Sequence, residues 1–350
     1  MGVTKCDCTN LSPPHDHWLL VQKDHDMYRH HFPTRTTWII SLVFMMIPVA
    51  TTMAADRTAA NQDGKKTTPC QYEYVKWPTI PAGLEITGAN GIDTDSKGRI
   101  YAAAGVENPI LVFSPEGKLL DAWGKGIIKN KHAVRIYNDK VYVCDTDLHQ
   151  VYEFTTDGKL LRSFGTRGKA GTGPNEFNKP TCLAIAANGD FYITDGYGNS
   201  RVVCLDPTGK FKFEWGKKGS GPGEFNPPHD IVIDKDQKIY IADRENNRVQ
   251  IFDLKGKFLK QWKNVGTPYG LELIPGEPQK MLVTDGNPDG PHRVLIVDLD
   301  GKILTAFGTK GSKPGQLDVP HSIAIDKDGN LYISEVANKR ISKFVKKTKK

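Results

Sequence analysis

The sequence predicts an all-β protein, a six-bladed β-propeller whose ring is closed by an N-terminal strand. Three observations predict it. The chain repeats itself six times at roughly 40–50 residues, the period of a propeller blade. Each unit carries short runs of β-branched and aromatic residues separated by Asp-Gly, Asn-Gly or Lys-Gly turns, the pattern of an antiparallel meander. One such unit cannot bury both faces alone, so the units must pack side by side around an axis.

The elements follow in order. First strands are expected to begin near Gly91-Ile92, Ala133-Val134, Cys182-Leu183, Ile231-Val232, Gly270-Leu271 and Ile323-Ala324. Second strands are Ile100-Tyr101, Val141–Val143, Phe191–Ile193, Ile239–Ile241, Met281–Val283 and Leu331–Ile333. An acid usually comes next: Asp145, Asp195, Asp243, Asp285 or Glu335. After a short loop and a third strand such as Arg248–Phe252, a fourth strand often ends in Trp or Phe plus Gly, as in Trp123-Gly124 and Phe307-Gly308. The last unit stops at its third strand, Arg340–Phe344, while Tyr72–Trp77 precedes the first unit. That N-terminal segment is expected to complete the final blade, leaving no open sheet edge.

Composition sets the class. The 350 residues are 38% hydrophobic and 25% charged, as in ordinary globular proteins, and 34 glycines and 22 prolines suit many tight turns. The net charge of +7 owes part of its excess to the basic end Lys346–Lys350, at 347–350 a short tail, so nucleic acid is not the expected partner. Residues 1–55 read as a leader: Trp38–Ala50 is an apolar run of signal-peptide length, Arg29 and Arg35 precede it, and Thr52-Met53-Ala54 offers a cleavage site. Met27 is an alternative start. Export to a secreted or periplasmic location is expected, with no membrane span once the signal is cleaved and a membrane anchor if it is not. Residues 56–70 read as linker and 71–346 as propeller. Export permits disulfides. Of Cys70, Cys144, Cys182 and Cys204, the pair Cys182 and Cys204 falls in one repeat and is the expected bridge. No CxxC pair offers a thiolate metal site.

The chemistry sits at the strand ends. Because the second strand runs back antiparallel to the first, the start of the first and the end of the second share one mouth of the channel. Histidine occupies the starting position in blades 2, 4 and 6, as His132, His229 and His321, while Asn90, Thr181 and Tyr269 stand there in blades 1, 3 and 5. Every second blade of a six-membered ring contributes, so the three imidazoles can converge. Three neutral nitrogens with a fourth position free suit a catalytic zinc, at about 2.0–2.1 Å from each nitrogen. The competing reading is a repeat consensus in which each histidine bonds backbone. His149 and His292 lie elsewhere in their blades and are not assigned to the metal.

The stretches Gly221–Asp253 and Gly311–Phe344 have the texture of NHL repeats. "YITDGYGNSRVV" (Tyr192–Val203), "IADRENNRVQIF" (Ile241–Phe252) and "VCDTDLHQVYEF" (Val143–Phe154) resemble peptidyl-α-hydroxyglycine α-amidating lyase. The resemblance runs from about Gly88 onward. It implies zinc on His132, His229 and His321, Tyr197 as general base, and Arg244 at the substrate carboxylate. It also implies a structural calcium held partly by the backbone carbonyls of Ile92 and Val134. Three positions depart from the family: Gly105 replaces an arginine, Ser322 an aspartate that reaches the calcium, and Gly198 a cysteine. The calcium is the cofactor these departures put in question. Tyr197 could instead simply cover the channel edge, and Arg244 could pair with Glu245. The readings carried forward are a lyase that splits a carbinolamide (a peptidyl-α-hydroxyglycine) to an amide and glyoxylate, a non-catalytic propeller binding a protein, peptide or glycan by one face, and another metal-dependent propeller hydrolase.

Overall fold

The computed structural model describes residues 71–347. The leader, Cys70 and residues 348–350 of the basic tail lie outside them. The strands in chain order begin with β1 (Tyr72–Val75). Blade 1 is β2 (Ile86–Thr94), β3 (Ile100–Gly105), β4 (Ile110–Phe113) and β5 (Leu119–Trp123). Blade 2 is β6 (Lys131–Tyr137), β7 (Lys140–Asp145), β8 (Gln150–Thr155) and β9 (Leu160–Phe164). Blade 3 is β10 (Cys182–Ile185), β11 (Phe191–Asp195), β12 (Arg201–Leu205) and β13 (Phe211–Trp215), with one helical turn, α1 (Gly196–Asn199), between its middle strands. Blade 4 is β14 (Pro228–Ile233), β15 (Ile239–Asp243), β16 (Arg248–Phe252) and β17 (Phe258–Trp262). Blade 5 is β18 (Pro268–Ile274), β19 (Lys280–Asp285), β20 (Arg293–Asp298) and β21 (Ile303–Phe307). Blade 6 takes β22 (Pro320–Ile325), β23 (Leu331–Glu335) and β24 (Arg340–Lys346).

The six sheets each have four strands. The expected closure is present: β1 pairs antiparallel with β24, Tyr72 opposite Lys346 and Val75 opposite Lys343. The first and last described strands thus share one sheet, and the last blade has four strands like the others.

The repeated residues explain the packing. The second strands of blades 1, 3, 4 and 6 are buried end to end, and those of blades 2 and 5 are buried beyond their first residue, a lysine. In blades 1, 4 and 6 the tyrosine of this strand buries its ring and bonds its hydroxyl to the acid of the preceding turn, Tyr101 to Asp95, Tyr240 to Asp234 and Tyr332 to Asp326. The aromatic at the end of each fourth strand reaches the next blade. Trp123 packs on Phe154, Phe164 on Phe191, Trp215 on Phe252, Phe307 on Phe344, and Trp77, beyond β1, on Phe113. Ring contacts of this kind add roughly 0.5–1.5 kcal/mol beyond the area they bury.

Two expectations need correction. The first strands of blades 1, 2, 4, 5 and 6 begin earlier than predicted, and the histidines lie inside them. In each of these strands the register slips near its start, between Lys131 and Val134 in blade 2, Pro228 and Asp230 in blade 4, and Pro320 and Ser322 in blade 6. A bulge lets a strand stay paired while one side chain is re-aimed. The other correction concerns sulfur. Cys182 stands opposite Thr194 and Cys204 opposite Tyr192 with β11 between them, and Cys144, Cys182 and Cys204 are all free and buried.

Candidate metal centre

His132, His229 and His321 meet at the channel mouth. Their ring centroids are 4.7–4.9 Å apart and their donor atoms all lie within 4.8 Å of one another. All three are buried. The bulges aim them, and their neighbours fix their rings. His132 Nδ1–H donates to the carbonyl of Thr181, His229 Nδ1–H to that of Tyr269, and His321 Nδ1–H to that of Asn90, each at 2.7 Å. Blades 1, 3 and 5 therefore contribute too: the residue at the histidine position of each turns its carbonyl toward the imidazole of the blade before it.

A carbonyl oxygen can only accept, so Nδ1 carries the hydrogen and Nε2 presents a lone pair. Burial, the largest cause, lowers the pKa of His132 to about 4 and those of His229 and His321 well below the usual histidine value. The nearby Arg244 guanidinium pushes all three the same way. At neutral pH the group is three uncharged nitrogens facing one another.

Tyr197 caps them from α1. Its hydroxyl lies 2.9 Å from His132 Nε2 and 3.0 Å from His229 Nε2. One phenolic hydrogen cannot satisfy two lone pairs, so the cluster is short of positive charge at its centre. This donor set, three neutral imidazoles oriented through Nδ1, fits a zinc ion.

Arg244 follows β15 in blade 4. Its Nη1–H donates to the Tyr197 hydroxyl at 3.2 Å, and its guanidinium lies 5.0 Å from the Tyr269 ring and 5.5 Å from that of Tyr197. Its Nε is also ion-paired with Glu245 at 2.8 Å. The structure thus brings all five sequence-derived residues together and gives Arg244 the ion pair as well.

The acids that end the second strands were read only as a repeat feature. They set the loops that deliver the histidines. Asp145 accepts the backbone N–H of Lys129 and Asn130, just before His132. Asp243 accepts that of Asn226, before Pro228-His229, and Glu335 that of Asp318, before Pro320-His321. Asp243 and Glu335 are in turn held by Arg248 and Arg340. Their signal was visible in the sequence, an acid followed five residues on by arginine. His149 and His292 serve other loops, where their Nδ1 atoms accept the N–H of Lys179 and Val319.

At the departures from the family, space decides. A Cβ at Gly105 would lie 2.0 Å from the carbonyl oxygen of Asn108, and one at Gly198 would lie 2.1 Å from the Asn178 side chain. Neither position admits a side chain without rebuilding its loop. Lys131, next to His132, is half-buried; its ammonium donates to the Thr87 hydroxyl of blade 1 at 2.9 Å.

Beneath the histidines lies a cavity of about 10 Å³, bordered by Cys182, Asp230 and Arg135. Below Arg135 the channel widens to about 210 Å³, with Asp93 and Glu272 in its lining. Arg135 donates to Asp230 at 2.6 Å and to the carbonyl of Leu271 at 3.3 Å, and lies 3.7 Å from Glu272. Burial raises the pKa of Asp93 and of Glu272; Arg135 pulls both partly back.

A six-bladed ring with NHL-type blades and one histidine cluster at its mouth defines an NHL-repeat propeller. Comparison with known proteins agrees. Residues 119–190 and 183–267 match a family described as a 6-bladed beta-propeller, and residues 317–344 match the NHL repeat. The chain is 30% identical to human NHL repeat-containing protein 3 over 77% of its own length and 83% of that protein's. It is also 30% identical to peptidyl-alpha-hydroxyglycine alpha-amidating lyase 1 of Drosophila melanogaster, over 68% of its own length but 49% of that protein's. Among solved structures it superimposes on a streptogramin B lyase with a TM-score of 0.56 at 14% identity, covering 78% of this chain and 97% of that one; this likeness concerns the fold. The chain belongs to the NHL-repeat propeller family and is homologous to the amidating lyases, and it spans about half the length of the Drosophila enzyme. Among the described residues no helix is long and apolar enough to cross a membrane.

Proposed function

We propose that this protein is a zinc-dependent lyase that cleaves a peptidyl-α-hydroxyglycine to a peptide amide and glyoxylate. The observation that carries the reading is the meeting of three Nε2 lone pairs with a single phenolic hydrogen. In the reaction the substrate hydroxyl loses its proton, its oxygen becomes the aldehyde of glyoxylate, and the C–N bond breaks. The amide nitrogen leaves with the bonding electrons and takes up a proton.

His132, His229 and His321 would hold the zinc. When bound, it supplies Lewis acidity toward the substrate hydroxyl. The carbonyls of Thr181, Tyr269 and Asn90 keep the three Nε2 atoms turned inward. Tyr197 is the proton acceptor: its oxygen is the polar group that reaches the histidines, and a positioned general base contributes about 10²–10⁴-fold. Arg244 donates to that oxygen and places positive charge where the tyrosine would become anionic. The substrate is a small molecule or peptide entering the mouth, and the leader read in residues 1–55 would place the protein outside the cell or in the periplasm.

The test is glyoxylate release from α-hydroxyhippurate by the zinc-loaded protein. The expected result is turnover that Tyr197→Phe lowers by about 10²-fold or more, and that His229→Ala abolishes together with bound zinc. Zinc at one ion per chain with no glyoxylate from this substrate would sink the reading. A second reading has one specific support: the relative spanned over 83% of its length is named only for its repeats. Under it, the propeller binds a protein, peptide or glycan through one face, and the purified protein takes up no metal.

A further inference from the structure

Beneath the histidines the repeat offers three more positions, the residue after each: Ala133, Asp230 and Ser322. Only the one in blade 4 is an acid. The calcium that the lyase resemblance implies would want a carboxylate at Ser322 and finds a hydroxyl, a weaker ligand for a hard cation. The cavity there, bordered by Asn90, Asp230 and Ser322, has about 10 Å³, room for about one water. Calcium takes about six to eight oxygens at about 2.3–2.6 Å. Arg135 borders the same cavity, so a fixed positive charge faces any cation placed in it. Among the described residues, His132, His229 and His321 are the one group of His, Cys, Asp and Glu side chains spaced to hold a metal. The implied calcium does not fit.

The oxygens nearby are already gathered on a different cation. Arg135 Nη2 donates to Asp230 at 2.6 Å and to the carbonyl of Leu271 at 3.3 Å, and Nη1 lies 3.7 Å from Glu272. The other oxygen of Asp230 accepts the N–H of Leu271 at 2.8 Å. The pair thus joins β6 to β14, which belong to blades that are not neighbours, and joins both to β18. Asp93 adds β2: its carboxylate accepts the N–H of Ile136, next to Arg135, at 2.7 Å. The Arg135 and Asp230 side chains are only 11% and 6% exposed, so this charge pair is screened little by water. Burial raises the pKa of Asp93 and of Glu272, so both lean toward the neutral acid and leave less negative charge for a second metal to balance. A structural metal joins chain segments by drawing oxygens from each to one charge. Here a guanidinium carried by one strand does so with oxygens from two others.

We infer that the Arg135 guanidinium is the structural cation of this channel: it takes the role that the resemblance gives to calcium, and the protein holds one metal ion, at the histidines, and no second. The inference concerns the channel and not the substrate, so it stands whether or not the protein releases glyoxylate.

The experiment dialyses the zinc-loaded full chain against calcium chloride, desalts it and measures zinc and calcium by elemental analysis. Melting is then followed in calcium-free buffer and in excess calcium for wild type, Arg135→Met and Arg135→Lys. Wild type is expected to keep one zinc and no calcium per chain, with a melting temperature that calcium leaves unchanged. Arg135→Met should melt about 10 °C lower and regain part of that loss as calcium is raised, because a cation can then enter among the freed carboxylates. Arg135→Lys keeps the charge and should lose less and ignore calcium. The inference is overturned if wild type retains one calcium per chain or melts higher with calcium, if Arg135→Met melts as wild type does, or if calcium does not stabilise it. Should Arg135→Met fail to fold, wild type and Arg135→Lys decide: calcium retained or stabilising in either overturns the inference.

Discussion

The upper and lower parts of the channel solve opposite problems with residues of the same strands. At the mouth, β6, β14 and β22 contribute His132, His229 and His321, three neutral groups whose lone pairs converge. One to three residues further along, β14 and β6 contribute Asp230 and Arg135, which pair with each other and draw in Glu272 from β18. The histidine cluster has three converging lone pairs and no cationic side chain among them; Arg244 stands beside it and reaches Tyr197. The lower part has carboxylates and supplies its own cation as a guanidinium. A chain position near a propeller axis is therefore neither a metal site nor a structural clasp by location alone; the balance of charge within each layer decides.

That contrast can be broken most strongly at Arg135. Arg135→Met should leave Asp230 and Glu272 facing each other uncompensated and cost about 3–5 kcal/mol, the usual effect of removing one partner of a buried pair. Denaturant melts would show it, and zinc binding at the mouth should stay at one ion per chain. If Arg135→Met instead removes the zinc and leaves stability unchanged, the two layers are one site and the comparison fails.

Protons sharpen it next. In the metal-free protein, the unfolded histidines take up protons near pH 6.5, whereas folded His132 does so only near 4. Between these values the unfolded state binds more protons, so the histidines' contribution is intact above 6.5 and is lost as pH falls toward 4. For His132 alone this amounts to about 3 kcal/mol. Glu272 behaves in reverse. Burial raises its folded pKa above its ordinary 4.5, so its contribution is full below 4.5 and is lost as pH rises through the raised value. Stability measured against pH should lose part of its acid limb in His132→Asn and part of its alkaline limb in Glu272→Gln. Unchanged limbs in both variants would refute the assignment.

The smallest expected effect concerns the loop acids. Asp243→Asn should weaken zinc binding about tenfold, as loss of an outer-shell support commonly does, through a loosened Asn226–His229 approach. Measured zinc affinity equal to wild type would show that β14 holds His229 without that brace.

Much of the mouth was legible beforehand. The alternation of histidine with Asn90, Thr181 and Tyr269 is a pattern along the chain, and a ring converts such a pattern into convergence. What was not legible was the use of the alternate positions. Their side chains differ, and only their carbonyls orient the imidazoles, so composition carried no signal. The bulges were missed because one extra residue leaves the hydrophobic alternation downstream intact. The expected Cys182–Cys204 bridge failed for a related reason: membership of one blade does not place two residues on adjacent strands. Arg135, Asp93, Asp230 and Glu272 come from blades 2, 1, 4 and 5 and share no motif.

By itself, the sequence determined the blade count, the strand order within each blade, the N-terminal closure and the alternation of His132, His229 and His321 with Asn90, Thr181 and Tyr269. These follow from local periodicity repeated at a fixed interval. Tertiary structure alone decided which tautomer each histidine adopts, which cation is already neutralised, and which charges cancel within the channel. Those are properties of distances between blades, and distances between blades exist only once the ring has closed.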